Sequence, residues 1–327
     1  MNYRIFKGDQ IAAIGLGTWQ LGSADWGQID EANALEILNT YVEAGGNFID
    51  TADVYGMGTS ERLIGKFLKQ TDKKVYVATK LGRRDDVPNG WPQNFTYDAI
   101  RRHVEDSLTH LGLEQLYLEQ LHCIPTEVLR RGEVFDHLRR IQEEGLIQHF
   151  GVSVETAEEA LICLEHPDVA ALQIIFNLFR QHLADEFFDK ARAQGTALIA
   201  RVPLASGLLS GKFNRSTTFD GKDHRHYNAN GDAFNVGETF SGIAFEKGIE
   251  LLDEIRSILP DGNLAQQSIK WILQHPAITT VIPGASKVEQ VQSNIAAAQQ
   301  PDLDNDTLQK LKELYAERIR QEIRGKY

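Results

Sequence analysis

Four polar residues fall at, or a few positions beyond, the C-terminal ends of short apolar segments. Asp50 closes Asn47-Phe-Ile-Asp50, Tyr55 follows in Thr51-Ala-Asp-Val-Tyr-Gly56, Lys80 closes Val75-Tyr-Val-Ala-Thr-Lys80, and His122 closes Leu116-Tyr-Leu-Glu-Gln-Leu-His122. A free phenol ionises only near pH ~10, but a neighbouring ammonium stabilises the phenolate and so eases loss of the proton. Lys80 can supply that ammonium, and Asp50 the counter-charge that a buried ammonium requires. His122 can hydrogen-bond a carbonyl oxygen at the same point. Such a group hands a proton to an oxygen on which negative charge develops. Carbonyl reduction fits this chemistry, and the hydride must then come from a cofactor, since no side chain donates one. Taken singly the four residues are unremarkable: a turn cap, a lysine reaching solvent, a half-buried histidine, a packing aromatic. Their fall on successive strand ends is what makes a site.

The elements that position them alternate. Apolar, β-branched runs at 13–17, 47–50, 75–80, 116–122, 149–153, 171–176, 197–202 and 280–283 read as strands, and helical spacing appears at about 30–44, 60–69, 97–110, 127–144, 155–165, 185–194, 263–275 and 287–298. Such alternation implies parallel sheet with crossover helices. Continuously apolar strands suit closed barrels and doubly wound sheets alike. Eight repeats with polar residues at many strand ends favour a (β/α)8 TIM barrel, whose catalytic groups gather at the C-terminal face. No linker divides the chain, so residues 1–327 are expected to form a single domain. Leu308, Leu311, Tyr315, Ile319 and Ile323 share one face of an extra C-terminal helix. Residues 211–241 form the longest stretch without periodicity, directly after the seventh strand, where a lid or binding loop is expected.

Composition excludes several alternatives. The 327 residues are 42% hydrophobic and 24% charged, with no apolar run of membrane-spanning length. The N-terminus lacks a secretory signal pattern, and two cysteines, Cys123 and Cys163, are too few for a disulfide framework. A cytoplasmic location and no membrane partner are expected. A formal net charge of −12 argues against nucleic acid as a partner.

The chain resembles the aldo-keto reductase superfamily over nearly its whole length. The matching segments are Gly15-Leu-Gly-Thr-Trp19, Phe48-Ile-Asp-Thr-Ala-Asp-Val-Tyr-Gly56, Ala78-Thr-Lys80, Leu121-His122, Gly151-Val-Ser153, Gln173 with Asn177, Pro203-Leu204 and Val281-Ile-Pro-Gly284. Val202 to Lys212 and Ala233 to Phe240 are most similar to a microbial, general-stress-type branch. The resemblance implies an α/β barrel with an N-terminal β-hairpin and an extra C-terminal helix. It also implies NADPH-dependent reduction of aldehydes or ketones, with NADH as the other possible cofactor and a small-molecule carbonyl as partner. Tyr55 would donate the proton, Lys80 and Asp50 would tune it, and His122 would orient the carbonyl. Asp50, Ser153 and Gln173 would meet the nicotinamide, with Gly17, Thr18 and Trp19 lining its approach and Arg201 beneath it. Pro203, Leu204, Ser206, Gly207, Leu208 and Lys212 would meet the phosphates, and Gly284, Ser286, Lys287, Gln290 and Asn294 the adenosine end. A loop feeding a helix N-terminus near Lys287 suits a phosphate physically, and Ser286 with Glu289 also reads as a helix capping box. Three positions depart from the family pattern: Val154 replaces an Asn, Arg201 an aromatic that stacks on nicotinamide, and Gln290 an Arg for the 2′-phosphate. Arg201 can stack through its guanidinium plane, and Lys287 becomes the main 2′-phosphate partner.

Other motifs carry less. Gly15-Leu-Gly17 lacks the third glycine of a dinucleotide fingerprint. Ser206 to Lys212 has the wrong spacing for a triphosphate loop, and Phe213 stands where Ser or Thr is needed. His224 and His226 have no evident third metal ligand. Cys123 and His122 are adjacent on a strand, so they point to opposite faces and cannot pair as a thiol-protease dyad. Two rival readings remain: Lys80 as a Schiff-base lysine, which needs a lowered amine pKa, and a nicotinamide-binding redox sensor with little turnover. Natural substrate and oligomeric state carry no signature, although rim groups such as Trp26, Trp91 and residues 211–241 are expected to shape the substrate.

Overall fold

The computed structural model describes residues 1–22, 30–85 and 90–327; Trp26 lies outside them. Strands β1 (Tyr3–Phe6) and β2 (Asp9–Ala12) form an antiparallel hairpin. Eight further strands follow: β3 (Leu16–Gly17), β4 (Phe48–Asp50), β5 (Tyr76–Leu81), β6 (Leu116–His122), β7 (Ile147–Ser153), β8 (Ala171–Ile175), β9 (Ala197–Arg201) and β10 (Ile278–Val281). Each is parallel to its neighbours, in sequence order from β3 to β10. Bridges from Ile14 to Val281 and from Gly17 to Gly284 bring the first strand beside the last and close the barrel. The seam is tight enough that a Cβ on Gly17 would lie 2.9 Å from the Ile282 carbonyl oxygen.

Continuous burial of β4, β5, β6, β8 and β9 follows from walls covered on both sides. Along β5 and β6 the side chains alternate. Lys80 and Gln120 point into the barrel and meet Asp50, whereas Thr79 points outward and donates to Glu61 on helix Thr59–Leu68 at 2.6 Å. The hairpin covers the bottom. Phe6 packs edge-on against Tyr117 and His149, in a cluster with Phe48, Tyr76 and Ile282. The other end of the barrel, where Asp50, Lys80 and His122 sit, is left for chemistry.

The expected strands recur within a few residues, but four helical features differ. The segment expected at 185–194 is two short helices, Leu183–Glu186 and Phe188–Gln194, broken at Phe187. The segment expected at 127–144 is two helices, Thr126–Arg131 and Glu133–Glu143, broken at Gly132 in the left-handed conformation. Helix Phe245–Ile258 was not anticipated. Its Gly248 weakens the local signal by ~1 kcal/mol relative to Ala, yet a Cβ there would lie 2.5 Å from Leu208, so close packing decides against propensity. Ser286 and Glu289 do not form the expected cap. The helix begins after Lys287, and Gln290 reaches back instead, its Oε1 accepting from Ser286 N (2.7 Å), Ser286 Oγ (3.1 Å) and Lys287 N (3.1 Å). The C-terminal helix Asn305–Leu314 runs into a wider turn at Tyr315–Ile319, and Leu311, Tyr315 and Ile319 are buried as expected.

Gly151 faces Ala171 across the β7–β8 ladder, and a Cβ there would lie 2.6 Å from the Ala171 carbonyl oxygen. Gly151→Ala is expected to lower stability by about 1–3 kcal/mol through overpacking, measured as the shift of the urea unfolding midpoint.

Candidate active site

Asp50 ends β4, Lys80 lies near the end of β5 and His122 ends β6, so adjacent strands deliver three of the four groups to one rim. The Lys80 Nζ donates to Asp50 Oδ1 at 2.5 Å, to the Thr51 carbonyl at 2.8 Å and to Tyr55 Oη at 3.4 Å. Lys80 and Asp50 are both almost wholly buried. Tyr55 arrives on a loop held by hydroxyls. Thr18 Oγ1 donates to the Asp50 carbonyl at 2.9 Å, and Ser60 Oγ and Thr51 Oγ1 complete a chain across the same turn. Gly56 follows with φ 60°, where a Cβ would lie only 1.8 Å from the Gly22 carbonyl oxygen. The Tyr55 ring stacks beneath Trp19 (6.2 Å) and meets His122 edge-on at 5.9 Å.

Burial acts on each group differently. It pushes the Tyr55 hydroxyl pKa up, with Lys80 pulling it back and Asp50 pushing it further, for a net rise. Lys80 therefore offsets desolvation without overturning it, and the phenol keeps its proton at neutral pH until a proton acceptor forms beside it. Burial also pulls the Lys80 pKa down, but Asp50 and Tyr55 raise it by more, so the amine stays charged. That is the opposite of what a Schiff-base lysine needs. His122 falls well below the usual imidazole range through burial and the nearby Arg83, Lys80 and Arg201 cations, which makes it a neutral ring. Its Nδ1 has no partner among the described residues. The set can thus donate a proton, hold the resulting anion beside an ammonium, and hydrogen-bond an uncharged oxygen.

A cleft of about 370 Å³ opens from this point along the rim. Of the residues expected to contact a cofactor, Gly17, Thr18, Trp19, Asp50, Gln173, Arg201, Pro203, Leu204, Ser206, Gly207, Lys212, Gly284, Ser286 and Gln290 line it, together with Tyr55 and His122. Ser153, Leu208, Lys287 and Asn294 do not. Ser153 is buried behind Cys123, whose Sγ lies 3.4 Å from its Oγ. Leu208 is packed beneath Gly248, and Asn294 supports the Gly284 carbonyl from behind at 3.4 Å. Lys287 is exposed outside the cleft wall. Val154 is buried, and its carbonyl accepts from Arg201 Nη2 at 3.4 Å.

Three features of the site were not read from the sequence. Gln120 and Gln173 both donate to Asp50 Oδ2, at 3.2 and 2.7 Å, which leaves Oδ1 for Lys80. The signal for Gln120 was available, since its spacing of two from His122 puts both on the inner wall. Second, Arg201 does not lie open for stacking. Its Nη1 pairs with Glu238 Oε2 at 2.6 Å, both side chains nearly buried, so the ion pair ties residues 211–241 to the barrel wall. Ser206 Oγ adds a bond to the Glu238 carbonyl at 2.7 Å, and Trp19 touches His224 and Phe234 of the same segment. Such pairs between distant segments have no local pattern. Third, left-handed φ at Met57, Cys123, Val202, Ala205, Ser206, Phe240 and Ser241 concentrates backbone strain in the loops of this site. Cys123, Glu155 and Glu238 place potential metal-ligand atoms within 4.8 Å of one another. A cation is already there: Arg201 pairs with Glu238 and approaches Cys123 Sγ at 3.5 Å, and burial pushes the thiol up to about 11.

The family model described as the aldo/keto reductase family matches residues 13–316. The chain belongs to this family. It is therefore an oxidoreductase of the NAD(P)H-dependent aldo-keto reductases. It is 28% identical to the uncharacterized oxidoreductase YqkF of Bacillus subtilis, with 92% of each chain covered. It is 27% identical to the aldo-keto reductase YhdN of the same organism, covering 88% of this chain and 85% of that one. Among solved structures, the glycerol dehydrogenase of Gluconobacter oxydans superposes with a TM-score of 0.79 at 27% identity, over 100% of this chain and 98% of that one. A Klebsiella pneumoniae aldo-keto reductase in complex with NADPH shares the fold at a TM-score of 0.69 and 21% identity, with 96% of this chain and 95% of that one covered.

Removing one partner of a buried ion pair leaves the other charge uncompensated, at about 3–5 kcal/mol. Glu238→Gln is expected to destabilise the protein by an amount approaching that range in urea denaturation. It should also speed limited proteolysis within residues 211–241, the segment the pair fastens.

Proposed function

We propose that this protein reduces aldehydes or ketones to alcohols with NADPH, acting as one barrel domain in the cytoplasm. The observation that carries the reading is the Lys80 ammonium, which lies 2.5 Å from Asp50 and 3.4 Å from the Tyr55 hydroxyl beside a neutral His122. The bound nicotinamide supplies hydride to the carbonyl carbon. His122 holds the carbonyl oxygen through a neutral ring nitrogen, and Tyr55 passes its proton to that oxygen as charge builds there. The phenolate left behind sits against Lys80, and solvent restores its proton. Asp50, held by Gln120 and Gln173, keeps the ammonium in place. The two hydrogens of Gln173 Nε2 lie toward Asp50 and Gln120, so its Oε1 is the atom left for a carboxamide.

The residues of the cleft fit such a cofactor. Lys212 and Arg225 bring positive charge to the stretch lined by Ser206 and Gly207, and Ser286 and Gln290 line the other end. The segments Val202 to Lys212 and Ala233 to Phe240 support placement in a microbial, general-stress-type branch. Preference for NADPH over NADH rests on Lys287, an exposed ammonium beside the N–H groups gathered on Gln290.

Tyr55→Phe should cut steady-state reduction of a test aldehyde, followed at 340 nm, by about 10²–10⁴-fold, while NADPH binding by fluorescence titration stays near the parent value. Unchanged turnover would refute the assigned role. Lys80→Met should fall as steeply, and Asp50→Asn less. NADPH binding without turnover in the parent protein would favour the redox-sensor reading. Lys287→Ala should weaken NADPH about tenfold and leave NADH within twofold, consistent with the ~1.5–3 kcal/mol of a charge-assisted bond partly screened at the surface.

A further inference from the structure

Gly82, the residue after β5, lies beside the backbone of His122, with its Cβ position 3.9 Å from His122 N, and its φ of 113° turns the chain outward there. Arg83 comes next and is half-buried. Its guanidinium lies over the Trp91 ring at 5.5 Å, and Trp91 is itself packed edge-on against Phe95. Contact through the face leaves the N–H edge of a guanidinium available. That edge makes no hydrogen bond or ion pair among the described residues.

Several other charges at this mouth are matched. Lys80 is held by Asp50 at 2.5 Å, Arg201 by Glu238 at 2.6 Å, and the adjacent Arg84 by Asp106 at 2.8 Å. Glu155 accepts from Asn235 at 3.0 Å, and burial together with Glu238 pushes its carboxyl toward the neutral form. Among the described residues Arg83 forms no ion pair of this kind, although its charge also pulls down the Glu238 and Glu155 carboxyls. Its charge, with those of Lys80 and Arg201, adds to the lowering of the His122 imidazole. On a chain of net charge −12, whose long-range field repels anions, a guanidinium on the loop that leaves β5 next to the His122 backbone is a local exception.

We propose that Arg83 selects carbonyl substrates that carry a carboxylate, gripping it with its free edge while its face rests on Trp91. A planar carboxylate matches the guanidinium fork in two parallel bonds. This rests on the reading of Tyr55 and His122 as a reducing centre and adds the substrate class to it. No covalent step is involved; Arg83 is a binding residue that fixes which aldehydes dwell beside His122.

The test compares 4-carboxybenzaldehyde with 4-methylbenzaldehyde, of similar shape, using the intact enzyme and NADPH. The parent is expected to favour the carboxylate in kcat/KM, chiefly through KM. Arg83→Gln should reduce that selectivity ratio by ~10–100-fold, the worth of a charged bidentate contact, and Arg83→Lys should restore part of it. Equal losses on both aldehydes, no selectivity in the parent, or a larger gain with 4-formylphenyl phosphate would overturn the proposal while leaving carbonyl reduction intact. If neither aldehyde is reduced, the reducing-centre reading fails. Benzoate titration followed by tryptophan fluorescence then decides for Arg83: saturable binding lost in Arg83→Gln supports the site, and its absence in the parent overturns it.

Discussion

A charged amine held inside a protein wall is the constraint around which this barrel mouth is organised. An isolated ammonium is too costly to bury, so Lys80 requires Asp50 at contact distance. Asp50 in turn requires donors for its second oxygen, which Gln120 and Gln173 supply from β6 and β8. The Thr51 carbonyl takes another Lys80 hydrogen, and the direction left over leads to Tyr55. Each bond removes a freedom from the next group, and the result is a phenol beside a buried ammonium. Desolvation outweighs that cation, so the Tyr55 phenol keeps its proton.

Much of this was legible in the sequence because it depends on periodicity and position along strands. Strand ends are local: an apolar run that stops at Asp50, Lys80 or His122 states where the rim is, and barrel geometry does the rest. Tyr55 was legible because it stands five residues beyond Asp50 and because the segment matches a known family. The inward glutamine at 120 follows from the same alternation that points His122 into the barrel, although polarity alone does not distinguish a brace from a satisfied core residue.

The remainder was hidden for physical reasons. The Arg201–Glu238 pair joins residues separated by a long irregular stretch, and nothing in either neighbourhood specifies the partner. Arg201 was expected to lie flat under a nicotinamide ring; a carboxylate from the loop at 211–241 claims its edge instead. Helix Phe245–Ile258 was masked by Gly248, whose presence is explained only by Leu208 against it. Ser153, Leu208 and Asn294 were drawn to the cleft by motif matching, yet they stand one layer behind its wall. There they can shape the cleft only by supporting residues that do line it.

The oxygen of Gln290 already gathers three donors at one corner of the cleft. An anionic group settling there arrives as a replacement, since it can take those donors only by evicting the amide that holds them. The tally of hydrogen bonds then stays nearly level, and discrimination at that corner reduces to charge against the exposed Lys287, a contest that dissolved salt readily mutes.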